Sequence, residues 1–352
     1  MRKLEVKARP RFRRHDAASR TKYQDTVQAA RAQRRVLAGT PGTLKQRTQS
    51  GRRYWVREYI RVDGSKVDEY LGPVEATAAG RVEELRAEIA LAKELAAASA
   101  MLRLLGFQRI EREPAAVLAV LFNHGLHAAG LVLVGSHAYG ALLNELGVQA
   151  AAYRTQDLDL ARAAPLALAL PPNRSFGSVL NESGLGFVPV PGMPSSRPSA
   201  SFKLPGAGKL IVDLLVPGDQ TGRVVEVRDL GAHAQTVALL DFLVDAPLAS
   251  AVLSPNQVVP VLVPAPERFV LHKLFSAESR RADRGKIAKD REQAVVVAAL
   301  LEEESPGRLR DAWSELPRSG RDAVRRSAKS AAELLAGSHP QAEDALKKLA
   351  AR

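Results

Sequence analysis

The chain has 352 residues and no cysteine, so disulfides, zinc–thiolate sites and thiol catalysis are excluded. Its net charge of +13 is uneven: residues 1–70 carry 19 Lys/Arg against 7 Asp/Glu, and the rest carry 32 against 31. No apolar run is long enough to span a bilayer and the basic N-terminus lacks an apolar signal core, so a cytoplasmic chain without a membrane partner is expected.

Such an asymmetry points to a basic arm that meets a polyanion, RNA or DNA, through residues 1–70; the bland alternative is a solvated tail. Residues 1–16, with Arg2, Lys3, Lys7, Arg9, Arg11, Arg13 and Arg14, read as flexible. Residues 17–37 read as a basic helix stopped by Gly39, Pro41 and Gly42. Between 51 and 73, two aromatic and β-branched runs flank Asp63-Gly64, a hairpin signal. Trp55, Tyr23, Tyr54, Tyr59 and Tyr70 are interleaved with cations here, which suits stacked bases and phosphates; packing onto the next helix suits them equally.

Residues 74–105 form a long helical pattern with Leu85, Ile89, Leu91, Leu95 and Leu102 at helical spacing, followed by a helix near 113–127. Leu131, Val132, Leu133 and Val134 then run into Gly135 and Ser136, a strand ending in a turn. Asp157-Leu158-Asp159-Leu160 puts two acids on one face of another strand. Two such carboxylates suit a hard divalent cation that also binds phosphate oxygens. Asp213 stands alone in the apolar run 210–215, where an unpaired charge is costly. Further β-rich pieces lie at 186–190, 201–204, 210–216, 224–227 and 258–263, with a Pro/Gly/Ser-rich loop at 189–208. Helical patterns follow at 266–277, 285–303, 306–316, 320–337 and 340–350.

Val134, Gly135, Ser136, Asp157, Leu158, Asp159, Leu160 and Asp213 resemble the signature of the DNA polymerase β-like nucleotidyltransferase superfamily, in its minimal or toxin-type form. The resemblance covers roughly residues 115–300. Twenty residues, 137–156, separate Ser136 from Asp157, more than that superfamily usually has; the surplus at 146–154 reads as an added turn or a short extra strand. The resemblance implies an α+β fold: a nucleotidyltransferase core with a mixed, mainly antiparallel sheet and a C-terminal helical region. To this the chain adds an N-terminal module of basic helix and β-hairpin.

It further implies Mg²⁺ (or Mn²⁺) held by Asp157, Asp159 and Asp213 as catalytic and metal-binding residues, and an NTP cradled by Gly135 and Ser136. Lys273 and Arg280, seven apart and therefore on one helix face, followed by Lys289 and Asp290, resemble the helix that flanks the triphosphate in toxin-like relatives; a solvated basic face is the other reading. Arg154 could reach phosphate or simply be a surface cation. His137 reads as a helix N-terminal histidine with a backbone partner, and His124, His127, His233 and His272 show no metal-ligand spacing.

The resulting division is 1–73 (basic arm, helix and hairpin), 74–112 (linking helix), 113–265 (core) and 266–352 (helical C-terminal region). The expected activity is transfer of an NMP from an NTP to a hydroxyl acceptor. RNA ranks first, especially a tRNA 3′ end, in a toxin–antitoxin or defence setting. The rivals are nucleotidylation of a protein hydroxyl (AMPylation-type) and a nucleic-acid-binding protein with a non-catalytic core. Neither the NTP, the acceptor nor the oligomeric state follows from the sequence.

Overall fold

Buried and half-buried residues alternate along Asp157–Arg162 and Ile211–Pro217, which makes these strands the centre of an α+β fold. The computed structural model describes residues 10–76, 79–151, 155–164, 170–171, 173–192, 198–206, 209–280 and 283–352. In chain order the elements begin with β1 (Phe12–Arg14), α1 (Ala17–Arg31), β2 (Thr43–Gln49), β3 (Arg52–Ile60), β4 (Lys66–Pro73), α2 (Ala79–Leu104) and α3 (Arg112–Asn123). The core continues with β5 (Leu131–Leu133), α4 (Gly135–Glu145), β6 (Val148–Ala150), β7 (Asp157–Arg162), α5 (Phe176–Asn181), β8 (Val188–Pro189) and β9 (Ser201–Lys203). Then come β10 (Ile211–Pro217), β11 (Val224–Val227), β12 (Ala232–Val237), α6 (Leu240–Val244), β13 (Leu248–Leu253) and β14 (Val258–Val263). Five helices close the chain: α7 (Pro266–Ser279), α8 (Arg284–Glu304), α9 (Arg308–Glu315), α10 (Arg318–Leu335) and α11 (Pro340–Ala350).

The main sheet runs β11-β12-β10-β7-β5, with β9 and then β8 added beside the first half of β10. Its centre, β12-β10-β7, is parallel, and every other pair is antiparallel. Both central strands put leucine or valine on the face opposite their acids: Leu158, Leu160, Val212 and Leu214 are fully buried. That alternation fixes the register, because a one-residue slip would bury the carboxylates and expose the leucines. The same apolar cluster continues into α7, α8, α10 and α11 through Phe269, Val296, Val324 and Leu346.

The N-terminal part departs from several expectations. Residues 10–16 are anchored: β1 pairs with β6, and Arg11 and Arg14 bind Glu292, Glu303 and Glu304 of α8. Residues 1–9 lie outside the described residues. The surplus spacer before Asp157 is thus spent partly on β6, a short extra strand that docks the N-terminus; residues 152–154, with Arg154, are not described. The helix at 17–37 stops at Arg31, since Val36 N–H donates to Asn123 Oδ1 and Leu37 C=O accepts from Gln257 Nε2, holding that segment out of helix.

The expected hairpin is real but gains a third strand, β2, whose polar and almost wholly exposed sequence carries no apolar alternation. The stretch read as a linking helix is no free linker. Leu95 and Leu102 of α2 share a second apolar cluster with Tyr23 and Val27 of α1 and with Leu253 and Val258 of the β13–β14 hairpin. Besides β2, the elements α5, α6, β12 and β13 had no sequence expectation; α6 is five residues long, and Asp245-Ala246-Pro247 separates it from β13.

The aromatics of the N-terminal module divide between both readings. Tyr23 and Tyr59 are buried, and Trp55 lies under the Arg86 guanidinium of α2. Tyr54 and Tyr70 pair at 5.5 Å on the outside of the sheet, where Tyr70 is 60% exposed.

Candidate active site

Asp157 and Asp159 project from one face of β7 because they are two residues apart. β10 runs parallel to β7 with Asp213 directly opposite Asp159 and Ile211 opposite Asp157. Adjacent strands lie roughly 4.8 Å apart, so the three carboxylates form an L on one sheet face. Ser201 of β9, paired in register with Asp213, donates its hydroxyl to Asp213 Oδ1.

The first turn of α4 closes the corner. Val134 N–H donates to the Asp159 carbonyl at 3.0 Å, bringing the helix start against β7. Gly135 sits at φ +68°, and a Cβ there would collide with Oδ2 of Asp159. Glycine is therefore required first to make room for the carboxylate. Ser136 Oγ is approached by Gln293 Nε2 at 3.4 Å. His137 is buried and bonds the Asp157 carbonyl through Nδ1 at 3.2 Å, the backbone partner expected of it. Burial lowers its pKa to about 4, so the ring is neutral at pH 7 and Nδ1–H is the donor.

These acids are poorly compensated. Among the described residues, no hydrogen bond to the Asp157 or Asp159 carboxylate is found. Burial, then the Asp213 charge, raises Asp159 to about 6, with Asp157 adding to the rise and Lys273 and Lys289 opposing it. Asp213 is also raised, by burial first, against the Ser201 hydrogen bond. Carboxylates crowded away from water without donors are suited to a divalent cation. Among the described residues, no three His, Cys, Asp or Glu side chains stand where they could close on one ion. The fit is instead to Mg²⁺ taken by one or two carboxylates, the remaining oxygens coming from substrate and water.

Opposite the acids stands a basic wall from α7 and α8. Pro266 starts α7 at its first turn, and Asp283 caps α8 by accepting from Lys286 N at 2.9 Å. Lys273, only 9% exposed, donates to Asp290 Oδ1 at 2.7 Å, and Arg280 Nε donates to Oδ2 at 3.0 Å. Asp290 is itself buried, so one carboxylate fixes two cations that both line the cleft. Lys289 has its pKa lowered by burial and next by Lys273. Arg281 lies outside the described residues.

Between the walls is a cleft of about 400 Å³ lined by Gly135, Ser136, Asp157, Asp159, Asp213, Lys273, Arg280 and Lys289. Thus the eight catalytic, metal-binding and nucleotide-binding residues expected from the sequence all line one cavity. Sequence reasoning passed over Ser201, Thr221, Gln235 and Gln293; His272 was noted only for lacking metal-ligand spacing, and Lys286 only as one cation of the basic run after Lys273. Lys286 and Gln293 had a readable signal, since they share a helical face with Lys289 and Asp290 at spacings of three, four and seven. Ser201 had none, because only strand pairing brings it to Asp213.

Among the described residues, no helix is long and apolar enough to cross a membrane. No curated protein matches the chain. Among solved structures, an antigenic nucleotidyltransferase-like protein from Paracoccidioides brasiliensis aligns at 14% identity with a TM-score of 0.31, covering 60% of this chain and 92% of that one. That likeness is too slight to carry an argument. A family model described as nucleotidyltransferase matches residues 112–317, more than half of the chain and all of the cleft described above. The chain belongs to this nucleotidyltransferase family and is an enzyme that moves a nucleotidyl group.

Proposed function

We propose that this chain is a minimal, toxin-type member of the DNA polymerase β-like superfamily that transfers an NMP from an NTP to an RNA hydroxyl, with a tRNA 3′ end as the first candidate. The observation carrying this reading is the segregation of charge across one cleft, with three acids on β7 and β10 facing Lys273, Arg280 and Lys289. Its size falls in the range of small-ligand sites, roughly 300–1,000 Å³.

The triphosphate is assigned to the basic wall and to the first turn of α4, where Ser136 and free backbone N–H groups face phosphate. Lys273 and Arg280 are pre-oriented by Asp290, so little order is lost when they meet the ligand. Mg²⁺ (or Mn²⁺) ions, each held by one or two of Asp157, Asp159 and Asp213, would neutralise phosphate charge and acidify the acceptor hydroxyl. The acceptor oxygen bonds to the α-phosphorus as the bond to the bridging oxygen breaks and pyrophosphate leaves. Asp213, steadied by Ser201, is assigned the departing proton.

The test is incubation of the chain with each labelled NTP, Mg²⁺ and either RNA or a protein lysate. Label in RNA, abolished by EDTA and by Asp157→Ala, is expected. Label in protein would replace the acceptor with a side-chain hydroxyl. Absence of transfer together with salt-sensitive RNA binding would leave a binding protein with a silent core.

A further inference from the structure

A second cavity, of about 670 Å³, opens on the other flank of the α4 start. Ser136 and Thr155 line both spaces, so the cleft and this groove meet at the edge of the carboxylate cluster. The junction is braced from both sides. Thr155 Oγ1 accepts from Asp157 N at 3.3 Å, and His137, on the groove side, holds the Asp157 carbonyl.

The groove is bounded by the end of α2, the following segment 107–111, α4 and the end of β13. Its charged residues are Arg103, Arg109 and Glu111. Among the described residues, neither arginine side chain has an ion-pair or hydrogen-bond partner, whereas Arg11, Arg14, Arg35 and Arg57 nearer the N-terminus are all paired. Burial and then the Arg103 charge lower the Arg109 pKa, as expected of two cations facing each other without full compensation. Phe107 offers no free stacking platform: it is buried and stacked with His15 at 3.9 Å and Tyr23 at 5.2 Å.

In-line transfer needs the nucleophile and the leaving pyrophosphate on opposite sides of the α-phosphorus. With the triphosphate on the basic wall, the acceptor must arrive from the other side of the carboxylates, and the groove opens there. We propose that this groove is the acceptor site and takes the 3′ end of an RNA strand. Its terminal hydroxyl lies at the Ser136–Thr155 junction and its last phosphates lie on Arg103 and Arg109. The terminal O–H supplies the oxygen that bonds phosphorus, its proton passes to a carboxylate, and pyrophosphate departs through the cleft. Because Phe107 and Tyr139, the aromatic residues of the lining, are both buried and the cations read phosphate, the site discriminates weakly between terminal bases. This inference rests on the RNA-acceptor reading above.

The test uses the full chain and an RNA carrying 4-thiouridine as its 3′-terminal nucleotide, photo-crosslinked without NTP. Crosslinked peptides from 103–111 or 136–144 are expected. Arg103→Ala/Arg109→Ala should cut the yield about tenfold and lessen the log–log salt slope of RNA binding by about 1.4, for two lost single-strand phosphate contacts. The Tm shift caused by NTP with Mg²⁺ should be unchanged in that variant, showing a folded protein with an intact cleft. Crosslinks confined to 43–73, or an undiminished yield in the double variant, would overturn the groove assignment. If RNA takes up label while crosslinks map elsewhere, only the groove assignment falls; if label enters protein alone, the RNA reading falls and the groove loses its occupant.

Discussion

In the β2–β4 sheet, acids and cations interleave across neighbouring strands. Lys45, Arg47 and Lys66 all reach Glu58, Arg47 also reaches Asp68, and Arg57 reaches Glu69. In the cleft, acids stand on one wall and cations on the other. The consequence is visible in two carboxylates of opposite behaviour. Glu58 falls to about 2, through Lys45 first, whereas Asp159 rises to about 6, through burial first. The segment with the large formal excess of charge offsets part of it against acids beyond residue 70: Glu84, Glu88, and Glu292, Glu303 and Glu304 of α8. The nearly balanced remainder of the chain holds the cleft, with its acids and cations on separate walls. Net charge singles out residues 1–70 by arithmetic; segregation of charge marks the cleft.

The comparison can be broken most decisively at Asp159. Asp159→Ala should reduce transfer on the order of 10³-fold through loss of electrostatic stabilisation, while Glu58→Gln leaves turnover within about twofold. Equal effects in a labelled-NTP assay would erase the distinction. Next comes the basic wall. Asp290→Asn leaves a buried Lys273 without its counter-charge and should cost about 3–5 kcal/mol in denaturant unfolding, with weaker NTP binding. A variant as stable as the parent would show that the pair is not holding that wall.

The pH dependence separates the two carboxylates by sign. Asp159 has a folded-state pKa above its ordinary 3.8, so the folded chain binds the extra proton between about pH 4 and 6. Its favourable contribution is present in acid and lost as pH rises through about 6. Glu58, lowered from 4.5 to about 2, contributes above its ordinary value and loses that contribution as pH falls through about 2. In EDTA, Tm should therefore decline from pH 4.5 to 7 by more in the parent than in Asp159→Asn, and Mg²⁺ should restore it at pH 7. Parallel pH profiles would remove the assigned strain from Asp159. The smallest effect is expected from Arg52→Ala/Arg61→Ala on exposed parts of β3 and its turn. Stability should change by no more than about 0.5 kcal/mol, and the RNA salt slope should lessen only slightly. A large loss of RNA binding would return the main nucleic-acid surface to the β2–β4 sheet.

Much of this organisation was legible because local patterns and tertiary demands agreed. The five C-terminal helices fall close to their expected bounds: α9, α10 and α11 show a helical period, while α8 carries a continuous buried run from Gln293 to Glu302. The two Asp-bearing strands read as strands because one face is wholly apolar. β2 was illegible because both of its faces are wet, α6 because five residues are too few to show a helical period, and β13 because its buried run shows no alternation. The site followed the same rule. Positions along one strand or helix were readable, while Ser201, Thr221 and the Arg103–Arg109 groove are assembled by pairing between segments far apart in the chain.

By itself the sequence determined the α+β class, the two acids on one strand face, the lone Asp213 in an apolar strand and the cations of the α7–α8 region, because each depends on a period of two or of 3.6 residues. Only the tertiary structure decided that Asp213 stands opposite Asp159, that Asp290 ties Lys273 to Arg280, and that Gly135 makes room for a carboxylate. It also decided which N-terminal cations are paired: Arg11, Arg14, Arg34, Arg35 and Arg53 reach acids beyond residue 70, and Lys45, Arg47, Arg57 and Lys66 reach acids of their own segment. Charge neutralisation acts through space over a few ångströms, and no count along the chain can say which opposite charge will be the neighbour.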